Sequence, residues 1–153
     1  MANIVFNIAK GRVAELYDRV KSNDPANSAL ILIPIETSGL ESDATLIDAD
    51  TVAAVLAGAT NEQSTMGRKT LTDSDLASIP APDDTNDRNE RSLPTVTWTA
   101  ASGNAISKIL VAYDSDTTGG TDSNLIPLTM FDFAQTPSGA DIQMTTGTFF
   151  RAS

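Results

Sequence analysis

One short segment limits the possible folds of this chain more than any other: residues 29–33 read Ala-Leu-Ile-Leu-Ile without interruption. A continuous apolar run that is rich in branched side chains predicts a β-strand buried on both faces. Pro34 follows directly, and because proline has no amide hydrogen to give to a sheet ladder, it predicts an edge position or the end of the strand. The chain is therefore expected to build a sheet that is covered on both sides.

The second half of the chain shows the two-residue period of β-strands. Residues 94–99 alternate most cleanly, with Val96 and Trp98 directed inward and the threonines outward. We expect Trp98 to be buried, with Val96, Ile109 and Val111 beside it. Strands are predicted at residues 66–71, 94–99, 107–113, 125–133 and 142–150.

Two segments have the spacing of amphipathic helices. Residues 10–21 place apolar side chains at positions i, i+3, i+4 and i+7, which predicts a helix with one buried stripe. A strand, or an arm lying on a neighbouring subunit, is the alternative for this segment. Residues 48–57 predict a short helix capped by Asp48 or Asp50.

These patterns together predict a single domain over residues 1–153. Its expected class is α+β and mostly β: an antiparallel sheet or sandwich of about five to seven strands, with one or two short N-terminal helices.

Composition removes several kinds of chemistry. The 153 residues include no cysteine and no histidine, which excludes disulfides, thiolate metal sites and imidazole catalysis. Lys and Arg number 10 against 20 Asp and Glu, and the net charge of -10 opposes binding to nucleic acid and to anionic membranes. We recognise no secretory leader and no apolar run of transmembrane length. A non-enzymatic protein without cofactor or metal, made in a bacterial-type cytoplasm, is expected.

The segment from Asp114 to Asp122 is the best candidate for a metal site. Oxygen-bearing side chains at its first, third and ninth positions, with glycine at the sixth, are typical of a calcium loop. The twelfth position, however, is Leu125 instead of a bidentate glutamate, and the flanking segments are predicted strands instead of helices. The sequence therefore favours a solvated hairpin loop.

Seven stretches between residue 66 and the end of the chain follow one another in a distinctive order. They are 66–72 (MGRKTLT), 83–88 (DDTNDR), 94–104 (PTVTWTAASGN), 108–114 (KILVAYD), 116–122 (DTTGGTD), 126–129 (IPLT) and 149–153 (FFRAS). In this order the chain resembles a family of small virion structural proteins, similar to head decoration or cement proteins, of tailed double-stranded DNA bacteriophages. The resemblance implies a protein of the phage head exterior or the tail apparatus that has no catalytic activity.

The leading hypothesis is a capsid decoration (cement) protein that binds and stabilises the major capsid shell. It would contact the major capsid protein and self-associate as a homo-oligomer on the particle, where many weak contacts are multiplied by valency. Its acidic surface would meet basic patches of the shell. The alternative is a tail-tube or head-tail connector component. A carbohydrate-binding or receptor-binding module is a third hypothesis, although one Trp and two Tyr offer little surface for stacking on sugars.

Two segments are expected to form the interface with partner subunits. Residues 1–9 are apolar, so Ile4 and Phe6 are predicted to pack against a neighbouring chain. The alternative is that residues 4–8 form an edge strand of the domain's own sheet. Residues 79–91 are polar and interrupted by proline, which predicts an exposed loop or arm with polar contacts at a subunit boundary. The predicted contact residues of this arm are Asp83, Asp84, Asp87, Arg88 and Arg91.

Overall fold

A computed structural model describes residues 3–79, 85 and 89–152. These residues form the strands β1 (Asn3–Val5), β2 (Ala29–Glu36), β3 (Lys69–Leu71), β4 (Asn89–Leu93), β5 (Val96–Trp98), β6 (Ile106–Asp114), β7 (Ile126–Gln135), β8 (Ile142–Met144) and β9 (Gly147–Ala152). They also form the helices α1 (Val13–Lys21), α2 (Asp43–Leu46), α3 (Val52–Val55) and α4 (Asp73–Leu76), and a 3-10 turn at Asn7–Ala9. The predicted class, α+β and mostly β, is confirmed.

An antiparallel five-stranded sheet is the centre of the fold, with the strand order β1-β7-β6-β2-β3. β6 pairs with β2 along the whole of β2, from Ala29 opposite Asp114 to Glu36 opposite Ile106, and with β7 on its other side. Two further pairs of strands, β4–β9 and β5–β8, form separate two-stranded ribbons. The antiparallel arrangement is therefore as predicted.

Apolar layers cover both faces of β2, which explains the unbroken apolar run in its sequence. Leu30 and Leu32 belong to a large cluster that includes α1, α4, both ribbons and the inward side of β6. Ile31 and Ile33 belong to a second cluster on the opposite face, where the apolar residues of α2 and α3 pack. The prediction that this strand is buried on both faces is confirmed.

Pro34 lies inside β2, a strand with neighbours on both sides, so the prediction of an edge position or a strand end is wrong. The pairing explains why proline is tolerated. β3 accompanies β2 only as far as Leu32, and the Pro34 carbonyl accepts the Gln63 amide at 2.9 Å on that same side. The amide and the carbonyl of one residue in an antiparallel strand point to the same side. An amide hydrogen at position 34 would therefore point toward the β3 side, beyond the end of β3, so the sheet loses no strand-to-strand hydrogen bond when proline stands there.

Helix α1 begins at Val13, three residues later than predicted. The chain before it turns through Gly11, whose φ of +81° is left-handed and cannot continue a right-handed helix. The predicted apolar stripe is confirmed. All of its members are buried: Val13, Leu16, Tyr17 and Val20.

The predicted second helix is reduced to the single turn α3. Its N-cap is Thr51, whose Oγ1 accepts the Ala54 amide at 3.1 Å, so the prediction of Asp48 or Asp50 as the cap is wrong. Asp48 instead accepts a hydrogen bond from the side-chain amide of Asn7, which ties this segment to the turn after β1.

The predicted strand at residues 142–150 is two strands. The chain leaves β8 after Met144, which pairs with Val96 of β5, and enters β9 at Gly147, which pairs with Leu93 of β4. β4 was not predicted, because its sequence Asn-Glu-Arg-Ser-Leu carries no apolar alternation.

Trp98 is 1% exposed and belongs to the same apolar cluster as Val96, Ile109 and Val111, as predicted. Its indole Nε1 donates to the Gly67 carbonyl at 3.0 Å, so the polar atom of this large side chain is satisfied in the interior.

Candidate functional site

β1 is an edge strand of the chain's own sheet. Ile4 pairs with Met130 of β7, and the Phe6 amide donates to the Leu128 carbonyl at 3.0 Å. Phe6 is 0% exposed and packs in the cluster beneath α2 and α3. The prediction that Phe6 packs against a neighbouring chain is therefore wrong, since its own core encloses it. The alternative of an edge strand at residues 4–8 is confirmed for its first two residues, whereas Asn7–Ala9 form a 3-10 turn. Ile4 is partly buried against the same cluster.

Arg91 is an internal residue, not a surface contact, so its predicted role at a subunit boundary is wrong. It is 6% exposed. Its Nε and one terminal nitrogen donate to the two carboxylate oxygens of Asp18 at 3.0 and 2.6 Å, and the guanidinium lies 5.8 Å from the centre of the Tyr17 ring. These contacts fasten β4 to α1. The other predicted contact residues of this arm lie outside the described residues: Asp83, Asp84, Asp87 and Arg88.

The segment from Asp114 to Asp122 is the loop between β6 and β7, and its carboxylates are engaged locally. Asp114 accepts the Asp116 amide at 3.0 Å. Asp116 accepts the amide and the hydroxyl of Thr118 at 3.0 and 2.6 Å, and these hydrogen bonds lower the pKa of Asp116. The geometry is that of a self-bonded hairpin loop.

Arg68 holds the far end of this loop against the segment before β3. Its Nε donates to Glu62 at 2.8 Å, and its two terminal nitrogens donate to both oxygens of Asp122 at 2.6 and 3.0 Å. The hydrogen bonds from Arg68 lower the pKa of Asp122, and those to the two carboxylates raise the pKa of Arg68. Asp122 is therefore a structural anchor of the loop.

The basic side chains of the protein are largely occupied by contacts within the chain. Ion pairs join Arg12 and Arg19 to Glu15, Arg68 to Glu62 and Asp122, Arg91 to Asp18, Lys108 to Asp43 and Asp132, and Arg151 to Glu90. Lys21 donates to the Ile79 carbonyl at 2.6 Å, and the Lys69 ammonium lies 6.0 Å from the centre of the Trp98 ring. Among the described residues, the arginines are therefore offset by carboxylates within the chain, whereas Lys21 and Lys69 contact neutral groups and keep their charge.

One long segment of the chain carries acids and no bases. Residues 22–67 contain seven Asp and Glu and no Lys or Arg. The part of this segment around α2 and α3 covers one face of the sheet through its apolar residues. The acids of residues 36–50 are exposed (Asp48 and Asp50) or half-buried (Glu36, Glu41 and Asp43). We call this region the acidic surface. It consists of Glu36, Glu41, Asp43, Asp48 and Asp50.

Neutral donors bind most of the carboxylates in the acidic surface. Glu36 accepts from the side chain of Asn104, Glu41 from Thr60, and Asp48 from Asn7. Asp43 is the member with an ion pair, to Lys108. Hydrogen bonds from neutral groups orient a carboxylate without removing its charge, so the field outside this surface stays negative. The absence of bases from residues 22–67 was visible in the sequence and would have located the surface.

Within residues 3–79, 85 and 89–152, no three or more Asp or Glu side chains are grouped closely enough to hold a metal ion. No helix of that part of the chain is long and apolar enough to span a membrane. Comparison of the chain with protein-family models, with curated proteins and with solved structures finds no match.

Proposed function

We propose that the protein is a capsid decoration (cement) protein of a tailed phage, which binds the outside of the major capsid shell and stabilises it. The observation that carries the proposal is the acidic surface. It is a group of five acids in and around the elements that cover one face of the sheet, and it suits a basic, repeated partner surface. The sequence resemblance to small virion structural proteins supports the same role.

The physical logic is that of many identical weak contacts. The five carboxylates of the acidic surface steer the protein toward a basic surface and orient it there. If the bound copies also associate with one another, their contacts with the repeated patches of the shell are linked, and the decorating layer binds far more tightly than one isolated contact would. The binding is therefore expected to weaken as ionic strength rises.

Copy number in the purified virion is the first test. Quantitative mass spectrometry is expected to find about as many copies as a symmetric shell offers, on the order of hundreds. A count of about a dozen would contradict decoration and support the tail-tube or connector alternative, and absence from the virion would contradict both.

A charge variant tests the acidic surface itself. Glu41→Gln, Asp48→Asn and Asp50→Asn together remove three charges from it, and are expected to weaken binding to undecorated shells and to flatten the salt dependence. The matched control removes three charges elsewhere, through Glu15→Gln, Asp73→Asn and Asp141→Asn. Equal loss of shell binding in both triple variants would show that net charge alone, and not this surface, is responsible.

A further inference from the structure

A cavity of about 220 Å³ opens between β7 and the chain that leads from β8 into β9. Its walls are the apolar side chains of Leu93, Phe131, Phe133, Met144 and Phe149. Exposed threonines and Gln143 form its rim, and none of the described residues that line it is charged. In a protein with a net charge of -10, an uncharged concave site is chemically distinct from the rest of the surface.

Two of the aromatic residues that line the cavity, Phe133 and Phe149, pack against buried aromatic side chains. Phe133 lies 6.3 Å from Trp98 between ring centres, and Trp98 is fixed by its hydrogen bond to Gly67. Phe149 lies 5.8 Å from Tyr17, whose hydroxyl donates to the Ser92 carbonyl at 2.8 Å. Because these walls are held by buried, hydrogen-bonded aromatic side chains, the cavity cannot close by a simple rotation of its lining.

The size and chemistry of the cavity define what fits it. An apolar cavity of about 150 Å³ is sufficient to bind one benzene molecule. The cavity here is larger, and its threonine rim offers hydroxyl groups to a single polar atom at the mouth. A charged ligand would lose hydration on entry and gain no partner from the lining.

We infer that this cavity is a binding site for a small uncharged molecule that carries one six-membered apolar ring with a hydroxyl group at one end. The ring fills the space between Phe133 and Phe149, and the hydroxyl group meets the rim at Thr145 to Thr148. This site is separate from the acidic surface, so the proposal does not depend on the decoration role and can be tested without it.

Cyclohexanol and its charged counterpart cyclohexanecarboxylate are suitable probes, because neither absorbs where tryptophan is excited. Titration of cyclohexanol into the full chain is expected to shift the methyl NMR signal of Met144 and the emission of Trp98, the single tryptophan, in a saturable way. A dissociation constant of about 1 mM is expected for so few heavy atoms. Cyclohexanecarboxylate is expected to bind at least about tenfold more weakly. Equal binding of the two probes, or no saturation by cyclohexanol up to about 50 mM, well above that constant, would overturn the inference.

Substitutions in the wall and the rim of the cavity test whether cyclohexanol binds there. Phe133→Ala removes a partly exposed wall, and Thr146→Glu places a carboxylate on the exposed rim without altering the core. Both are expected to weaken cyclohexanol binding by about tenfold or more while circular dichroism stays unchanged. Phe150→Ala is the control, since Phe150 is partly buried on β9 outside the lining. Loss of binding in the control equal to that in Phe133→Ala, or full binding by Thr146→Glu, would place the ligand elsewhere and refute the site.

Discussion

Lys108 joins three elements of the fold, and its removal gives the sharpest test of how they are held together. It lies on β6 and is 8% exposed, with its Nζ 3.1 Å from Asp43 of α2 and 3.0 Å from Asp132 of β7. Burial alone lowers the pKa of an ammonium group, but the hydrogen bonds to Asp132 and Asp43 outweigh it, so the pKa of Lys108 is raised above 10.5. The stabilisation of the fold by protonated Lys108 is complete below pH 10.5. It is lost as the pH rises through the higher pKa that Lys108 has in the folded protein.

Two substitutions separate the charge from the packing of the stem. Lys108→Met removes the ammonium group and keeps most of the apolar stem. The partner carboxylates are 39% and 47% exposed, so each ion pair is screened by solvent and contributes about 0.5–1 kcal/mol. Lys108→Met is therefore expected to cost about 1–2 kcal/mol in total. Lys108→Ala also removes three buried methylene groups, which adds about 2 kcal/mol.

Urea unfolding followed by circular dichroism measures both differences. Stability of Lys108→Met equal to or above that of the wild type would refute the reasoning, because it would show that desolvation of the ammonium cancels both ion pairs. Equal stability of the Met and Ala variants would show that the stem contributes nothing to packing. Asp43→Asn and Asp132→Asn divide the electrostatic part between the two partners.

Three further predictions concern the core and the dependence of stability on pH. Trp98→Ala is expected to lower the free energy of unfolding by about 3–5 kcal/mol in urea titrations, as for other large core truncations. Burial raises the pKa of Tyr17 from 10.0 to about 12, so the stabilisation of the folded state by its neutral phenol is complete below pH 10.0 and is lost as the pH rises toward 12. Thermal melts across this pH range, with Tyr17→Phe as control, check this prediction. Arg68 lowers the pKa of Asp122 below 3.8, so the stabilisation of the fold by ionised Asp122 is complete above pH 3.8 and is lost as the pH falls further. Arg68→Gln is expected to reduce the loss of stability that acid titration of the folded protein measures.

Strands were predictable where apolar periodicity alone decides the structure. Residues 29–33 had to be buried on both faces, and the alternation of residues 94–99 correctly placed Trp98 inward. Both predictions depend on side-chain period, which local sequence records directly. The α1 stripe was recognised for the same reason.

The remaining features depend on partners distant in sequence. β4 turns an arginine inward, and this is possible only because Asp18 of α1 meets Arg91 there. The burial of Phe6 depends on β1 finding β7 more than a hundred residues later in the chain. Pro34 is tolerated because β3 stops short of it. The acidic surface was the exception, since a segment without Lys or Arg was readable from the sequence itself.

The strand order of the main sheet also determines when the protein can fold during its synthesis. β2 is made early, yet both of its neighbours are far along the chain: Leu32 pairs with Lys69 and with Val111. Until the ribosome has released β6, the most apolar segment of the protein has one short strand, β3, to pair with and lacks the long strand that adjoins it along its whole length. A topology dominated by such distant pairings folds slowly, on a scale of about milliseconds to seconds. Until the second half of the chain is made, β2 therefore stays incompletely paired and is expected to be prone to aggregation.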